Sequence, residues 1–449
     1  MPIQRQDVEY ITELLNERNY KVLRSVFDDM NSVDLASAIE SLPQEQALIA
    51  FRTLPKETEA EVFAEFDSDM QQKIVEAITD TELSRIIDDL WVDDAVDMIE
   101  EMPAQLVNRV LRNSSPETRS LINQFLNYPE NSAGSVMTSE FTKLSKDMTV
   151  KEAIEHIRKV GEDRETIYTC YVIDADRHLE GKVTVKELLL ANDNELIKNI
   201  METEQPFTVT TDDREDAAKL LAKYDLIALP VVDAQNHLVG IITIDDALDV
   251  LREETTEDFH KMAAISPSEK PYLKTSVFRL AANRFVWLLC LMLSGMVTGA
   301  ILGSYEAVYS SIPVLVSFMP MLTGTGGNAG SQSSTMVIRG MALGEIKVSD
   351  IFYVVWKEFR ISIIVGIILA AANYIRLLIM YGNLGLIPLV VALAQIGAII
   401  MAKTIGSILP IVAKMLKIDP AIMAAPLITT IVDAVTLVLY YSIAGKLLM

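Results

Sequence analysis

Residues 420–447 read PAIMAAPLITTIVDAVTLVLYYSIAGKL, an apolar run of 28 residues interrupted near its middle by one acid, Asp433. Such a run is long enough to cross a hydrocarbon core of about 30 Å, which takes about 20 helical residues. An isolated carboxylate at that depth costs on the order of 3 kcal/mol on insertion scales, so its presence calls for a function. Helical spacing puts Pro426, Thr429, Thr430, Asp433 and Thr436 on one face, which makes the charge part of a polar stripe. Pro426 lacks the N–H that would bond the carbonyl of Ile422, and is expected to free a backbone oxygen there. An all-oxygen set of this kind suits a hard cation such as Mg²⁺ or Ca²⁺ and suits copper or zinc poorly. The competing reading is an Asp that is protonated or bonded to a neighbouring helix. Against it, no second intramembrane acid is expected in the membrane half.

Four more apolar segments precede this one, near 280–304, 311–338, 350–380 and 384–413. Residues 271–449 hold six acids (Glu306, Glu345, Asp350, Glu358, Asp419, Asp433) and twelve Lys or Arg, whereas residues 1–270 hold 56 acids and 27 bases, a net of −29. A strongly acidic soluble part is therefore joined to an almost charge-free membrane part. Lys270, Lys274, Arg279 and Arg284 precede the first span; Arg339, Lys347, Lys357 and Arg360 are read between the second and third, and Lys414 and Lys417 between the fourth and fifth. The loops at Tyr305–Ser311 and Tyr381–Gly385 carry no Lys or Arg, so the positive-inside rule puts the N-terminus in the cytosol and the C-terminus outside. Met1 to Asn16 carries charges and no apolar core, which argues against a signal peptide. Two cysteines, Cys170 and Cys290, make no disulfide framework and agree with a reducing compartment. A bacterial plasma membrane location follows, and the acidity argues against nucleic acid as a partner.

The second span is expected to break at 323–335, TGTGGNAGSQSST, because four glycines among small polar residues make a poor lipid-facing helix. Its carbonyls and amides, Asn328 included, could contact the water shell of a passing ion; close packing against another helix is the alternative. Mg²⁺ gives up its water reluctantly, and one Asp per chain is too little for a selective site. A two-fold homodimer would bring two copies of Asp433 together, and two close carboxylates favour a divalent cation between them. Asp419, beside Pro420, could attract cations at the cytosolic end of the same span or simply start the helix.

The soluble part contains two repeats. Residues 20–125 repeat with a period of twelve: Leu42-Pro43, Leu54-Pro55, Phe66-Asp67, Ile78-Thr79, Leu90-Trp91 and Met102-Pro103 punctuate apolar pairs such as Ala38-Ile39, Ala50-Phe51, Val62-Phe63 and Ile74-Val75. Each unit is a helix of about two turns that cannot bury its apolar face alone, so the units must stack into an all-α superhelix over 1–130. Residues 131–254 carry a duplication at an offset of 59: Tyr171–Asp174 with Leu179–Thr184 returns as Pro230–Asp233 with Leu238–Thr243. Each half reads helix, strand, turn, strand, helix. Residues 255–275 are polar, helical up to Pro267 or Pro271, and join this part to the membrane domain at 276–449. Asp93 and Asp97 lie one helical turn apart with Asp94 beside them; Glu253, Glu254, Glu257 and Asp258 cluster on the connecting segment. Like charges at such spacings repel unless a cation screens them, although solvated surface is the bland alternative for each one.

Together these features resemble the MgtE family of magnesium channels across essentially the whole chain. The stretches that carry the resemblance are Ser132–Thr138, Gly326-Gly327-Asn328-Ala329-Gly330 with Gln332, and Asp419-Pro420 with Pro426-Leu427 and Asp433. The resemblance implies an N-terminal superhelix, an α/β pair of CBS domains, a connecting plug helix and a five-helix transmembrane domain. It further implies a homodimer whose second and fifth spans line one pore, with Asp433 as the selectivity site for largely hydrated Mg²⁺. It implies feedback as well: internal Mg²⁺ bridges the cytosolic parts and closes the pore. By motif position that role passes to Asp93, Asp97, the carbonyl of Ala222, Asp225, Asp246, Glu254, Glu257 and Asp258, and also to Glu61, Asp213 and Glu215. CBS pairs often take adenine nucleotides such as ATP; Gly240-x-x-Thr243-x-x-Asp246 fits the ribose-contacting pattern, while the first repeat has Thr184 followed by Glu187 in place of the Asp. Ala425 stands where some relatives have Asn before the proline.

Other function classes lack their signatures. There is no Gly-x-x-x-x-Gly-Lys for an ion-pumping ATPase, and His156, His178, His237 and His260 show no metal-site spacing for a zinc hydrolase. The runner-up is a secondary transporter exchanging a divalent cation for H⁺ or Na⁺ at Asp433. An adenylate-sensing scaffold without transport is a third class. The sequence leaves open whether Co²⁺ and Mn²⁺ pass as well as Mg²⁺.

Overall fold

The computed structural model describes residues 5–267, 272–382, 385–423 and 425–449; Met1, Lys270, Pro271 and the 383–384 part of one loop lie outside them. The chain divides into two compact units, Met1–Arg252 and Glu253–Met449.

The first unit opens with α1 (Arg5–Asn16), α2 (Tyr20–Asp28), α3 (Ser32–Glu40), α4 (Gln44–Thr53), α5 (Glu59–Ala64), α6 (Ser68–Ala77), α7 (Asp80–Asp89), α8 (Val92–Glu101), α9 (Ala104–Asn113) and α10 (Pro116–Phe125). The punctuation residues start these helices as their chemistry requires. Asp67 Oδ1 accepts from Met70 N at 2.8 Å, Ser115 Oγ accepts from Thr118 N at 3.1 Å, and Thr79 and Glu82 close a reciprocal cap. The fourth unit departs from the period: Pro55–Thr58 closes a turn first, so α5 begins only at Glu59. The recurring pairs Ala38-Ile39, Ala50-Phe51, Val62-Phe63, Ile74-Val75 and Ile86-Ile87 are each at most 1% exposed and belong to one continuous core. Burying each large member contributes about 1.5–3 kcal/mol, which no two-turn helix could collect alone.

The duplicated module follows as two matching three-stranded sheets. The first contains β1 (Phe141–Leu144), β2 (Thr166–Ile173) and β3 (Leu179–Thr184), with α11 (Val150–Val160) and α12 (Val185–Leu190); the second contains β4 (Thr208–Val209), β5 (Ala228–Val232) and β6 (Leu238–Thr243), with α13 (Arg214–Lys223). In both, the first strand pairs parallel and the third antiparallel to the middle one. The offset of 59 becomes a local pseudo-symmetry: the rings of His178 and His237 stack with centroids 4.8 Å apart, each Nδ1 paired with its own Asp174 or Asp233. Tyr171 Oη donates to Ala228 O across the two halves at 3.0 Å.

From β6 the chain enters α14 (Ile244–Met262), which ends at Met262 and does not continue to Pro267 as its polarity suggested. The second unit then contains α15 (Val277–Ser304), the short α16 (Glu306–Ser311), α17 (Met319–Ala342), α18 (Ile351–Tyr381), α19 (Ile387–Met415) and α20 (Ala425–Leu448). The five long helices have 24 or more residues each. Among the described residues, four segments qualify as spans by length and apolarity together, those of α15, α18, α19 and α20. The glycines and hydroxyls of α17 lower its hydropathy, yet it packs against α19 and α20.

Two expectations change here. The 323–335 stretch does not break: α17 is one continuous helix through all of its glycines. Lys357 and Arg360, read between the second and third spans, lie inside α18.

Candidate functional site

In the membrane unit the site is built on α17 and α20. The turn Pro420–Met423 leads into α20, and Pro426 falls in that helix's first turn. An N–H there has no partner within the helix in any case, so Pro426 frees no carbonyl of Ile422. The backbone oxygen at this level, Met423 O, instead accepts from Ser334 Oγ of α17 at 2.9 Å. Further along, Asp433 Oδ1 and Thr436 Oγ1 are both shielded, and neither meets a hydrogen-bond partner among the described residues. A buried polar atom left in that state costs about 1–3 kcal/mol, more for a charge. The chemistry of this pair asks for a hydrated ion or a water beside it.

The glycines of α17 serve close approach. A Cβ on Gly326 would lie 3.0 Å from both Thr436 Oγ1 and Val432, one on Gly327 3.0 Å from Thr429, and one on Gly330 2.8 Å from Ile428. These contacts bring α17 onto the α20 face that carries Thr429, Val432 and Thr436, and Asp433 borders that seam. Asn328, Gln332 and Thr335 lie on the exposed side of α17. The expected absence of a second intramembrane acid is also corrected: Glu358 of α18, its side chain 14% exposed, pairs with Lys403 of α19 at 3.4 Å. A charge inside the 350–380 apolar run was the available signal, and it was passed over.

At the membrane unit's other polar cluster, Asp419 Oδ1 accepts from Ala421 N at 2.8 Å and Oδ2 pairs with Lys261 Nζ at 2.6 Å. Lys261 also pairs with Glu257 Oε1 at 2.6 Å. Burial lowers the Lys261 pKa, but the bonds to Asp419 and Glu257 more than offset this and hold it above the usual lysine range. Glu254 and Asp258 lie on the same helix α14.

In the soluble unit the fold gathers carboxylates that the sequence scatters. Asp93 of α8 is only 8% exposed, and burial followed by the charges of Asp246, Asp94 and Glu165 pushes its pKa well above the carboxylate range. Burial and the neighbouring acids raise Asp94 to about 7 and Glu165 to about 7. Asp246, which accepts from Thr243 Oγ1, rises to about 6, again chiefly through burial. Glu65 joins them, raised by burial and by Asp249 and Asp245. Desolvated acids that repel one another form a site a dication would stabilise. Asp93 and Asp246 were expected here; Asp245, beside Asp246 on α14, was passed over, and Glu65 and Glu165 were not expected because no helical spacing links them to either.

The other expected ligands are placed elsewhere. Asp97 and Glu61 are exposed. Asp213 caps α13 by accepting from Glu215 N at 2.8 Å, and Glu215 pairs with Lys219 at 2.7 Å. The carbonyl of Ala222 and Asp225, a residue with φ of +51°, sit together at the exposed end of α13. Thr184 and Glu187 form a reciprocal helix cap, which explains why Glu stands in the first repeat where Asp246 stands in the second.

Family models agree with this arrangement in each part. The divalent cation transporter model matches residues 319–443, the MgtE intracellular N domain model residues 30–131, and the CBS domain model residues 133–193 and 197–253. The magnesium transporter MgtE of Thermus thermophilus is 33% identical over 444 residues, covering 98% of both chains. That of Bacillus subtilis is 31% identical over 431 residues, covering 96% of this chain and 95% of its own. The chain belongs to the MgtE family. Its soluble part is similar to the crystal structure of the cytosolic domain of the Mg²⁺ channel MgtE in complex with ATP, at 32% identity and a TM-score of 0.52, covering 54% of this chain and 99% of that one. The MgtE membrane match begins at Met319, the first residue of α17, and takes in Asn328, Asp419 and Asp433.

Proposed function

We propose that this protein is a homodimeric Mg²⁺ channel in which α17 and α20 line the ion path and Asp433 is its selectivity carboxylate. The observation that carries the reading is Asp433 Oδ1, shielded inside a membrane helix and, among the described residues, without a partner, one turn from the equally unpartnered Thr436 Oγ1. Two such carboxylates across a two-fold axis attract a dication through its retained water shell, which Mg²⁺ keeps. The exposed polar side of α17 at Asn328, Gln332 and Thr335 supports an aqueous neighbour, because lipid would leave these groups unsatisfied.

Closure by internal Mg²⁺ is the second half of the reading. In the soluble unit a dication bound among Asp93, Asp94, Asp246 and Glu165 removes their repulsion. On α14, Glu257 and Asp258 add ligands near the Lys261–Asp419 pair at the start of the turn into α20. Adenine nucleotide, as in the solved relative, would contact Thr243 and Asp246. With the N-terminus cytosolic, both clusters face the compartment whose Mg²⁺ they report.

Mg²⁺ flux into proteoliposomes holding an indicator dye tests the reading. Wild type should carry Mg²⁺ with no H⁺ or Na⁺ gradient, and Asp433→Ala should lose it. Flux that requires such a gradient would favour a coupled exchanger instead.

A further inference from the structure

Lys403 lies in the middle of α19 and is 6% exposed. An ammonium within a membrane helix is retained only where partners satisfy it. Lys403 Nζ donates to Ser333 Oγ of α17 at 3.0 Å and approaches Glu358 Oε2 of α18 at 3.4 Å; Ser333 Oγ in turn donates to Glu358 Oε2 at 2.6 Å. Each of three helices contributes one corner of a closed triangle. Charges cancel within it, so Glu358 has no call on a passing cation.

The triangle grips α17 at the level where its backbone is most tightly held. Gly330 meets the backbone of α19 at Gly406, and Ser334 Oγ bonds Met423 O at 2.9 Å, in the turn that leads into α20. One turn earlier, Gly326 and Gly327 lie against Thr429, Val432 and Thr436, the face beside Asp433. Ser333 and Asn328 are five residues apart, about 140° around the helix, so fixing the buried side of α17 fixes the heading of its exposed polar side. Small residues permit close approach but allow a helix to turn about its axis; a hydrogen-bonded ion pair does not. Apolar side chains of similar volume would hold three helices together at least as well, so a buried ion pair is explained better by specificity of arrangement than by stability.

We propose that Lys403, Glu358 and Ser333 are positioning residues for ion passage: a buried charged clamp that sets the rotation of α17 and thereby the placing of Asn328 and Gln332 relative to Asp433. This rests on the reading that α17 and α20 line the path.

The test compares Lys403→Met/Glu358→Gln, Ser333→Ala and Asp433→Ala with wild type in proteoliposomes, reading maximal Mg²⁺ flux, half-saturating Mg²⁺ and the Mg²⁺-to-Ca²⁺ flux ratio, with thermal stability in detergent alongside. The neutral double variant should keep its fold, lose about tenfold or more in maximal flux, and show a reduced Mg²⁺-to-Ca²⁺ ratio. Ser333→Ala, which keeps the ion pair, should move the ratio the same way at unchanged stability. Wild-type flux and ratio in a folded double variant would overturn the clamp. If that variant does not fold, Ser333→Ala decides: an unchanged ratio overturns the proposal and a reduced one supports it. If Asp433→Ala still transports, the path reading fails; if Asp433→Ala is dead while the clamp variants behave as wild type, the clamp alone fails.

Discussion

Gly406 of α19 and Gly330 of α17 meet backbone to backbone: a Cβ built on Gly406 would fall on the carbonyl of Gly330. Neither partner has a side chain that could move aside, so the contact tolerates no larger residue without a shift of a whole helix. A Cβ on Gly299 of α15, by contrast, would meet nothing within 4 Å among the described residues. Gly406→Ala should therefore cost about 1–3 kcal/mol of stability and most of the transport. Gly299→Ala should be neutral or slightly stabilising. Thermal unfolding in detergent separates the two; equal effects would show that the α17–α19 seam is looser than described.

Stability of the soluble unit should fall as pH rises when Mg²⁺ is absent. Asp94 and Glu165 are raised to about 7 and Asp246 to about 6, so between about pH 4 and 7 the folded form holds more protons than the unfolded chain. Stability is then lost as pH rises through that window, on the order of 1–3 kcal/mol. Saturating Mg²⁺ should flatten the slope, and Mg²⁺ should bind more weakly below pH 6, where protons compete. Melting curves of the full chain at pH 5 and pH 8, with and without Mg²⁺, check this. A slope of the opposite sign without Mg²⁺ would mean these acids are not desolvated together.

Lys261 ties Glu257 to Asp419, the residue that starts the turn into α20. Lys261→Met removes both ties and leaves two carboxylates facing each other. Docking of α14 then depends more heavily on Mg²⁺, so about fivefold more internal Mg²⁺ should be needed to stop flux. Maximal flux at low internal Mg²⁺ should not change. An unaltered inhibition curve would remove Lys261 from the gating account.

Much of this architecture is legible in the residues because it is periodic. The twelve-residue spacing dictates the stacked helices, and the offset of 59 dictates twin sheets with the same strand order. The long helices follow from their apolar runs. What escaped depends on contacts across elements. The glycines of 323–335 look like a break in one dimension, and only the neighbours at Thr429, Val432 and Ala402 O show that they shorten a helix–helix distance. Glu65 and Glu165 join Asp93 only through the fold, whereas Glu358 was visible as a charge in the 350–380 apolar run and was passed over.

The most direct measurement is the reach of water-borne reagents to position 433. In a Cys170→Ser/Cys290→Ser background, Asp433→Cys should be labelled in native membranes by a membrane-impermeant, water-soluble methanethiosulfonate reagent, because position 433 would face an aqueous axis. Labelling only by lipid-soluble maleimide would put α20's acid against lipid and contradict the ion path proposed for it.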